Sequence, residues 1–456
     1  MFVEGSVHYF AACIGHHTDV GGPTPGSIAP DAASIFEEGI RIPATQIARS
    51  GELDTGLIEL IAHNTREPEI RKLDLEVQAA VSRFGAIRLG ELASQEGSKR
   101  MSLLADGLIE YARRRLAGRI AALPNGTYAH TVWMDDDGLG GDALPICATL
   151  TVEGERLIFD FAGTGNQSRG GFNLLPSGVM ATVGYAVKAL LDPDLPPNSG
   201  LFQAVELQIP KGTILNPRFP AAVGARTTTC QKLSSAIFGA LQPALPLERT
   251  MASSHDILAS MVFGGETTTG EPYVYLETIG GGNGALADMN GMDGAHCHIT
   301  NSLNTPAEAV ESSYPLRVIE YSLIEGSGGI GRMRGGMGLA REIEAVGQPT
   351  SFSSRGDNFK TSPKGVNGGG DGGRARVILK PKNGTERVVD VKQRRLTMAP
   401  GDRVRMETPG GGGFGAPALR PVDQLAADIA DGRLSNDASD LYPEPLANNA
   451  KDIASG

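Results

Sequence analysis

The sequence predicts an α+β protein, with a mixed, multi-region β-sheet core, packed helices and a β-rich carboxy-terminal unit. Three observations carry that expectation. Leu53, Leu57, Leu60 and Ile61, and later Leu103, Leu104, Leu108, Tyr111 and Leu116, recur at helical spacing. Runs such as Tyr273-Val274-Tyr275-Leu276-Glu277-Thr278-Ile279 read as strands bounded by turn residues. Glycine supplies 61 of 456 residues, roughly twice the usual share of about 7%. It follows no Gly-x-y period, so it signals turns and tight backbone approaches.

Taken in order, the chain divides into five regions. Residues 1–51 hold a strand and loop: Val3, Val7, Tyr9, Ala11 and Cys13 alternate imperfectly with Glu4, Ser6, His8 and Phe10, as in a mostly buried strand. Residues 52–123 are helical, with Gly97-Ser98 as the break and many Arg/Glu pairs at helical spacing, as for exposed helices laid on a larger body. Residues 124–345 form a central α/β core with a glycine-lined pocket. In it, strands flank Asp135-Asp136-Asp137-Gly138, a helix runs from Phe172 to Leu191 and stops at Asp192-Pro193, and Val205 to Ile209 is a strand ended by Pro210. A further helix starts after Arg226-Thr227-Thr228-Thr229, where the threonines can cap it and Arg226 can attract an anion. Residues 346–416 are β-rich, with a glycine-rich loop from Lys364 to Arg374. Residues 417–456 carry a terminal helix through Leu425, Ile429 and Leu434, then a polar, mobile tail from Asn436.

Composition excludes several classes of function. A formal charge of -11 with scattered basic residues disfavours nucleic acid. The arginine clusters Arg113-Arg114-Arg115 and Arg394-Arg395 read as solvated faces. Cys13, Cys147, Cys230 and Cys297 show no CxxC, which suits buried thiols in a reducing compartment. No apolar run reaches the roughly 18 residues of a spanning helix, and no basic leader opens the chain, so a cytoplasmic, soluble protein is expected.

Two clusters suggest chemistry. Gly15-His16-His17-Thr18-Asp19-Val20-Gly21-Gly22 packs two imidazoles and a carboxylate into four residues at a strand's end, donors that suit Zn or Mn. Neighbouring strand residues face opposite ways, so one histidine would face the ion while the other supports it; ordinary packing histidines are the alternative. In His296-Cys297-His298, alternation along a strand would set both imidazoles on one face as a ligand or acid/base pair. Asn301 and Asn304 could hydrogen-bond a carbonyl or amide, or simply shape turns. Glu277 leads into Gly280-Gly281-Gly282-Asn283-Gly284, a glycine-lined strand exit where a ligand can approach the backbone near Gly281. Without the Lys-Ser/Thr of a P-loop, that exit is not expected to bind ATP. The three aspartates at 135–137 lack the remaining ligands of a Ca loop and are expected to form a solvated turn.

Further motifs add a resemblance. Gly21-Gly22-Pro23-Thr24-Pro25-Gly26-Ser27 is followed by Phe36-Glu37-Glu38-Gly39-Ile40-Arg41-Ile42-Pro43, then Ala122-Leu123-Pro124-Asn125-Gly126-Thr127-Tyr128 and Leu191-Asp192-Pro193-Asp194-Leu195-Pro196-Pro197-Asn198-Ser199-Gly200. His296 to Pro306, Tyr314-Pro315-Leu316-Arg317-Val318, Gly328 to Gly336, and Glu407-Thr408-Pro409-Gly410-Gly411-Gly412-Gly413-Phe414-Gly415 complete the series. In this order they resemble the hydantoinase B/oxoprolinase family, the B-type subunits of ATP-dependent hydantoinases, lactamases and 5-oxoprolinases, to which acetone carboxylase subunits are similar. The resemblance implies ring opening of a cyclic amide, helped by a divalent metal (Zn or Mn), while an A-type partner subunit in a hetero-oligomer binds and uses ATP. It also implies His16 as a metal ligand, with His17 and Asp19 orienting it or adding donors, and His296 or His298 as acid/base. The family's upstream Asn-Asp-Pro and Gly-Gly-x-His-x-x-Asp segments would share that metal, and this sequence begins after them. A ketone carboxylase subunit and a non-catalytic, assembly-stabilising subunit are the alternatives.

Overall fold

The computed structural model describes residues 1–3, 6–29, 31–392, 395–434, 441–443 and 453. Arg394, and Asn436 with most of the tail after it, lie outside the described residues.

The amino-terminal strand is shorter than its alternation suggests. β1 (Phe2–Val3) and β2 (Ser6–Val7) pair as a small hairpin, and no further strand forms before His16. The following residues lie along a helix instead: the Cys13 thiol meets Gln78 O and Ser82 Oγ, both at 3.5 Å, and Tyr9 OH meets Ser102 Oγ at 3.1 Å. With no neighbouring strand to saturate the ladder, imperfect alternation does not make a sheet.

β3 (Ala48–Arg49) and β4 (Glu52–Leu53) form a second hairpin. α1 (Thr55–His63) follows, its first turn capped by Asp54, which accepts the Leu57 N–H at 3.0 Å. α2 (Pro68–Glu96) and α3 (Ser98–Ala121) are divided at Gly97, whose φ of 80° is a left-handed conformation that glycine adopts without penalty.

The first core is built on a sheet ordered β5-β6-β7-β8, comprising β5 (Gly126–Met134), β6 (Leu144–Glu153), β7 (Arg156–Asp160) and β8 (Val205–Gln208); only the β7/β8 pair is parallel. Burial along β6 alternates strictly, which identifies a sheet with one covered face. Ile146, Leu150 and Phe159 of that face pack with Leu116 of α3, Val183 of α4 (Pro176–Leu191) and Leu233 of α5 (Arg226–Leu241). α4 starts at Pro176 rather than Phe172, because proline is tolerated in a helix's first turn. α5 starts at Arg226 with no side-chain cap, so Thr227, Thr228 and Thr229 lie in its first turn rather than before it.

The second core lies between two antiparallel sheets. One is ordered β10-β9-β13-β16, from β9 (Ala259–Glu266), β10 (Pro272–Ile279), β13 (Thr350–Arg355) and β16 (Leu396–Met398). The other is ordered β11-β12-β17-β14-β15, from β11 (Leu316–Leu323), β12 (Leu339–Ala345), β14 (Arg376–Lys380), β15 (Arg387–Val389) and β17 (Arg403–Glu407). Phe263 and Phe352 of the first meet Ile343, Val377, Val404 and Met406 of the second. α6 (Ala307–Ser313) precedes β11, and α7 (Val422–Ala430) closes the described helices.

The aspartate turn between β5 and β6 is not solvated. Asp135, Asp136 and Asp137 are all buried. Asp135 accepts from the N–H groups of Phe359, Lys360 and Thr361 at 2.5, 3.1 and 3.0 Å, and Asp136 meets Lys392 at 3.0 Å. The turn therefore ties the first core to the segment after β13. Arg115 departs from its expected solvated face in the same way, through a two-pronged bond to buried Asp192 at 2.5 and 2.6 Å. Of the four thiols, Cys230 and Cys297 are buried, whereas Cys13 is exposed.

The glycine runs find each other. Gly411 N donates to Gly336 O, Gly336 N to Asn283 O, Gly329 N to Gly411 O, Gly413 N to Gly370 O and Gly412 N to Ser253 O, at 2.8–2.9 Å. Backbones from five separated segments lie so close that a Cβ at Gly282, Gly335 or Gly411 would collide with a neighbouring segment. Glycine is needed here for close approach rather than for turning.

Candidate active site: an imidazole-lined cavity

Two adjoining cavities of about 490 and about 520 Å³ lie over α4 and α5 and share Phe238, Met251, Ser254 and His298 on their walls. Tyr185 of α4, Phe238 of α5 and His298 form an aromatic cluster, with ring centroids 5.1–6.2 Å apart. His296 and Cys297 complete one wall, and Arg249 lies at its edge.

Beneath this wall the glycine layer delivers Ser253-Ser254-His255-Asp256. Buried Lys232 of α5 holds this segment: its ammonium meets Asp256 at 2.9 Å and Asp357 at 3.4 Å and bonds Asn358 Oδ1. Asn358 in turn donates to His255 O at 2.7 Å and Asp256 Oδ1 at 2.8 Å. Asp256, His298 and Asn358 are three of the six described non-glycine residues with positive φ, so backbone strain concentrates around the cavity.

The hydrogen bonds fix two tautomers. His255 Nε2 lies 3.1 Å from Ala295 O, which can only accept, so Nε2 carries the proton and Nδ1 is a bare, buried lone pair without a partner. Thr300 Oγ1 donates to Cys297 O at 2.9 Å and accepts from Gln231 Nε2 at 2.9 Å. His296 Nδ1, 3.2 Å away, must therefore donate to that oxygen, which leaves His296 Nε2 bare and unpartnered. His298 sits between Ser235 Oγ at 3.3 Å and Tyr185 OH at 3.5 Å.

Burial holds all three rings neutral. It pulls His255 down to about 3, with the His298 ring adding to the effect, and His298 down to about 4. His296 is lowered by burial as well. The same burial pushes the Tyr185 phenol up to about 12 and the Cys297 thiol far above its usual range, so Cys297 behaves as a packed thiol. The lining thus combines neutral imidazoles at His296 and His298 with the hydroxyls of Ser235 and Tyr185.

The sequence-selected residues divide sharply. His296 and His298 do share this cavity, but not through strand alternation: residues 296–298 form no strand, and His298 turns into the wall with φ 53°. Glu277 is buried against Arg341 at 3.0 Å to both oxygens and accepts from Asn304 Nδ2 at 2.8 Å, while Asn304 Oδ1 takes the Tyr321 hydroxyl at 2.5 Å. Both residues therefore spend their polar atoms on the second core. Asn301 lies exposed in the loop before α6. Gly281 exchanges both backbone bonds with Ala295, and an added Cβ would sit 2.7 Å from the His255 ring, so it makes room for that imidazole rather than offering a free amide.

The residues of the proposed metal cluster do not fit an ion. His16 is exposed. His17 has Nδ1 against Arg71 and 3.4 Å from Asp74 Oδ2, and Nε2 3.1 Å from the Gln78 amide, so groups from α2 occupy both ring nitrogens. Asp19 is fully buried and accepts four bonds, from the N–H groups of Gly21, Gly26 and Arg66 at 2.9–3.2 Å and from Arg66 Nη1 at 2.7 Å. Its carboxylate is thus the hub of the Gly21–Gly26 loop. Among the described residues no three His, Cys, Asp or Glu side chains converge as a metal site.

Sequence reasoning missed His255, Lys232, Asp256 and Tyr185. Lys232 and Tyr185 sit among apolar helix residues with no local motif, and only the adjacency of His255 and Asp256 offered a signal.

This α+β fold is shared with a solved ATP-dependent enzyme. The crystal structure of the ATP-dependent caprolactamase from Pseudomonas jessenii superposes with a TM-score of 0.84 at 26% identity, over 97% of this chain and 79% of that one. The chain belongs to the hydantoinase B/oxoprolinase family, whose family model matches residues 1–417. It is 32% identical to 5-oxoprolinase 1 of Arabidopsis thaliana, over 91% of this chain but 34% of the relative. It is 29% identical to the putative B-type subunit of a D-/L-hydantoinase from a Pseudomonas species, over 96% of this chain and 75% of the relative. No described helix is long and apolar enough to cross a membrane.

Proposed function

We propose that this chain is the B-type subunit of an ATP-dependent cyclic-amide hydrolase, and that ring opening takes place at the imidazole-lined cavity. An A-type partner would bind ATP and activate the ring carbonyl. The observation that carries the reading is the bare Nε2 of His296, a buried lone pair without a partner in a residue that lines the cavity, while its Nδ1 proton is committed to Thr300. A neutral imidazole there can accept the proton of an attacking water once a turn of the ring uncovers that nitrogen to the cavity. His298, held between two hydroxyls, can relay a proton towards the departing ring nitrogen. Phe238, Met251 and Leu286 supply apolar walls for the ring methylenes, and Arg249 at the edge can pair with the carboxylate that opening produces. His17 and Asp19 already spend their polar atoms within the protein and do not fit Zn or Mn.

The test is ATP-dependent ring opening of hydantoin, 5-oxoproline and caprolactam by the chain reconstituted with an A-type subunit. His296→Gln should lower kcat by on the order of 100-fold, the scale of general-base loss, while the complex still assembles. A folded complex that opens no cyclic amide overturns the proposal. Bicarbonate-dependent ATP use with a ketone would favour a carboxylase instead.

A further inference from the structure

α2 is thinly supported for its length. At about 1.5 Å per residue its 29 residues reach about 43 Å, yet only Arg71 and Leu75 are buried. One face is occupied by the amino-terminal segment, through Cys13 against Gln78 and Ser82 and His17 against Arg71 and Gln78. The opposite face carries Ile70, Leu73, Val77, Ala80, Phe84 and Ile87, alternately three and four residues apart. That is the a/d repeat of a two-helix seam. All six are exposed, and the five large side chains are 47–64% accessible.

We propose that α2 pairs antiparallel with α2 of a second copy of this chain. The charges beside the seam select that occupant. Glu76 and Arg83 flank the same edge of the stripe, seven residues apart, and neither has an ion-pair partner among the described residues. When two such helices cross antiparallel about a dyad between Val77 and Ala80, Ile70 faces Ile87, Leu73 faces Phe84 and Val77 faces Ala80. Glu76 of each copy then lies beside Arg83 of the other. A parallel pair would set like charges side by side. Self-complementarity about one dyad is what a closed twofold dimer requires.

Light scattering after size exclusion, and sedimentation equilibrium on the full chain without an A-type subunit, test this. The wild type should be a dimer. Val77→Glu with Phe84→Glu should make it monomeric, with circular dichroism unchanged. Glu76→Arg should weaken the dimer several-fold, and Glu76→Arg with Arg83→Glu should restore it. In a Cys13→Ser background, mixing Ile70→Cys and Ile87→Cys proteins should give a mixed disulfide, while Ile70→Cys alone should not cross-link. A monomeric wild type, a dimer that survives the glutamate pair, or cross-linking of Ile70→Cys to itself would each overturn the proposal. A wild type that stays monomeric and instead loses A-type binding on Val77→Glu would assign this face to the partner.

Discussion

Replacing Lys232 with methionine removes one cation from a buried set that closes the cavity floor. In the folded protein its ammonium meets Asp256 at 2.9 Å and Asp357 at 3.4 Å, and both carboxylates are almost wholly inaccessible. Asp357 keeps Lys392 at 3.2 Å, but Asp256 is left with the Asn358 amide alone. Breaking a buried ion pair by deleting one partner costs about 3–5 kcal/mol, most of it the penalty of the stranded charge. Lys232→Met should therefore lower stability by about 3–5 kcal/mol, read as a fall in the urea midpoint at constant m-value. Adding Asp256→Asn removes the stranded charge and should recover most of the loss, a coupling between contacting residues that a double-mutant cycle isolates. The penalty should also shrink as pH falls, because burial without Lys232 favours the protonated form of Asp256. A single mutant that costs less than about 1 kcal/mol, or a double mutant no more stable than the single, would refute the reasoning.

Two further outcomes follow from the same geometry. Because burial lowers the folded-state pKa of His255, His296 and His298, the unfolded chain binds more protons below pH 6.5. Their contribution is complete above about pH 6.5 and drains as pH falls towards 4, at up to about 1.4 kcal/mol per pH unit per ring. His298→Gln should flatten the slope of stability against pH by about one such increment, and an unchanged slope would contradict a neutral His298. Gly282→Ala should abolish soluble, folded protein, since its Cβ would collide with the Gly336 carbonyl and the Gly411 amide. By contrast Gly107→Ala, in open space on α3, should raise the melting temperature slightly, through about 0.5–1 kcal/mol of helix propensity; equal tolerance at the two sites would deny the glycine layer its packing role.

The sequence by itself determined the fold class, the family and most elements. Those rest on local pattern: helical spacing in α3, strict alternation in β6, the Asp192-Pro193 stop after α4, and the glycine runs. It also picked out His296 and His298, although for a reason the backbone does not obey. Only the tertiary structure decided what the polar groups do. Asp19, Glu277 and Asn304 look like free ligands in one dimension, yet each is consumed by partners that include one 26 or more positions away: Arg66, Arg341 and Thr278 in turn. The aspartate turn likewise looks solvated until the segment after β13 closes over it. A side chain's availability depends on who else reaches it, and burial without a partner is too costly to leave a polar atom idle. The bare imidazole nitrogens of His255 and His296 are among the few buried exceptions, and no local spacing could have announced them.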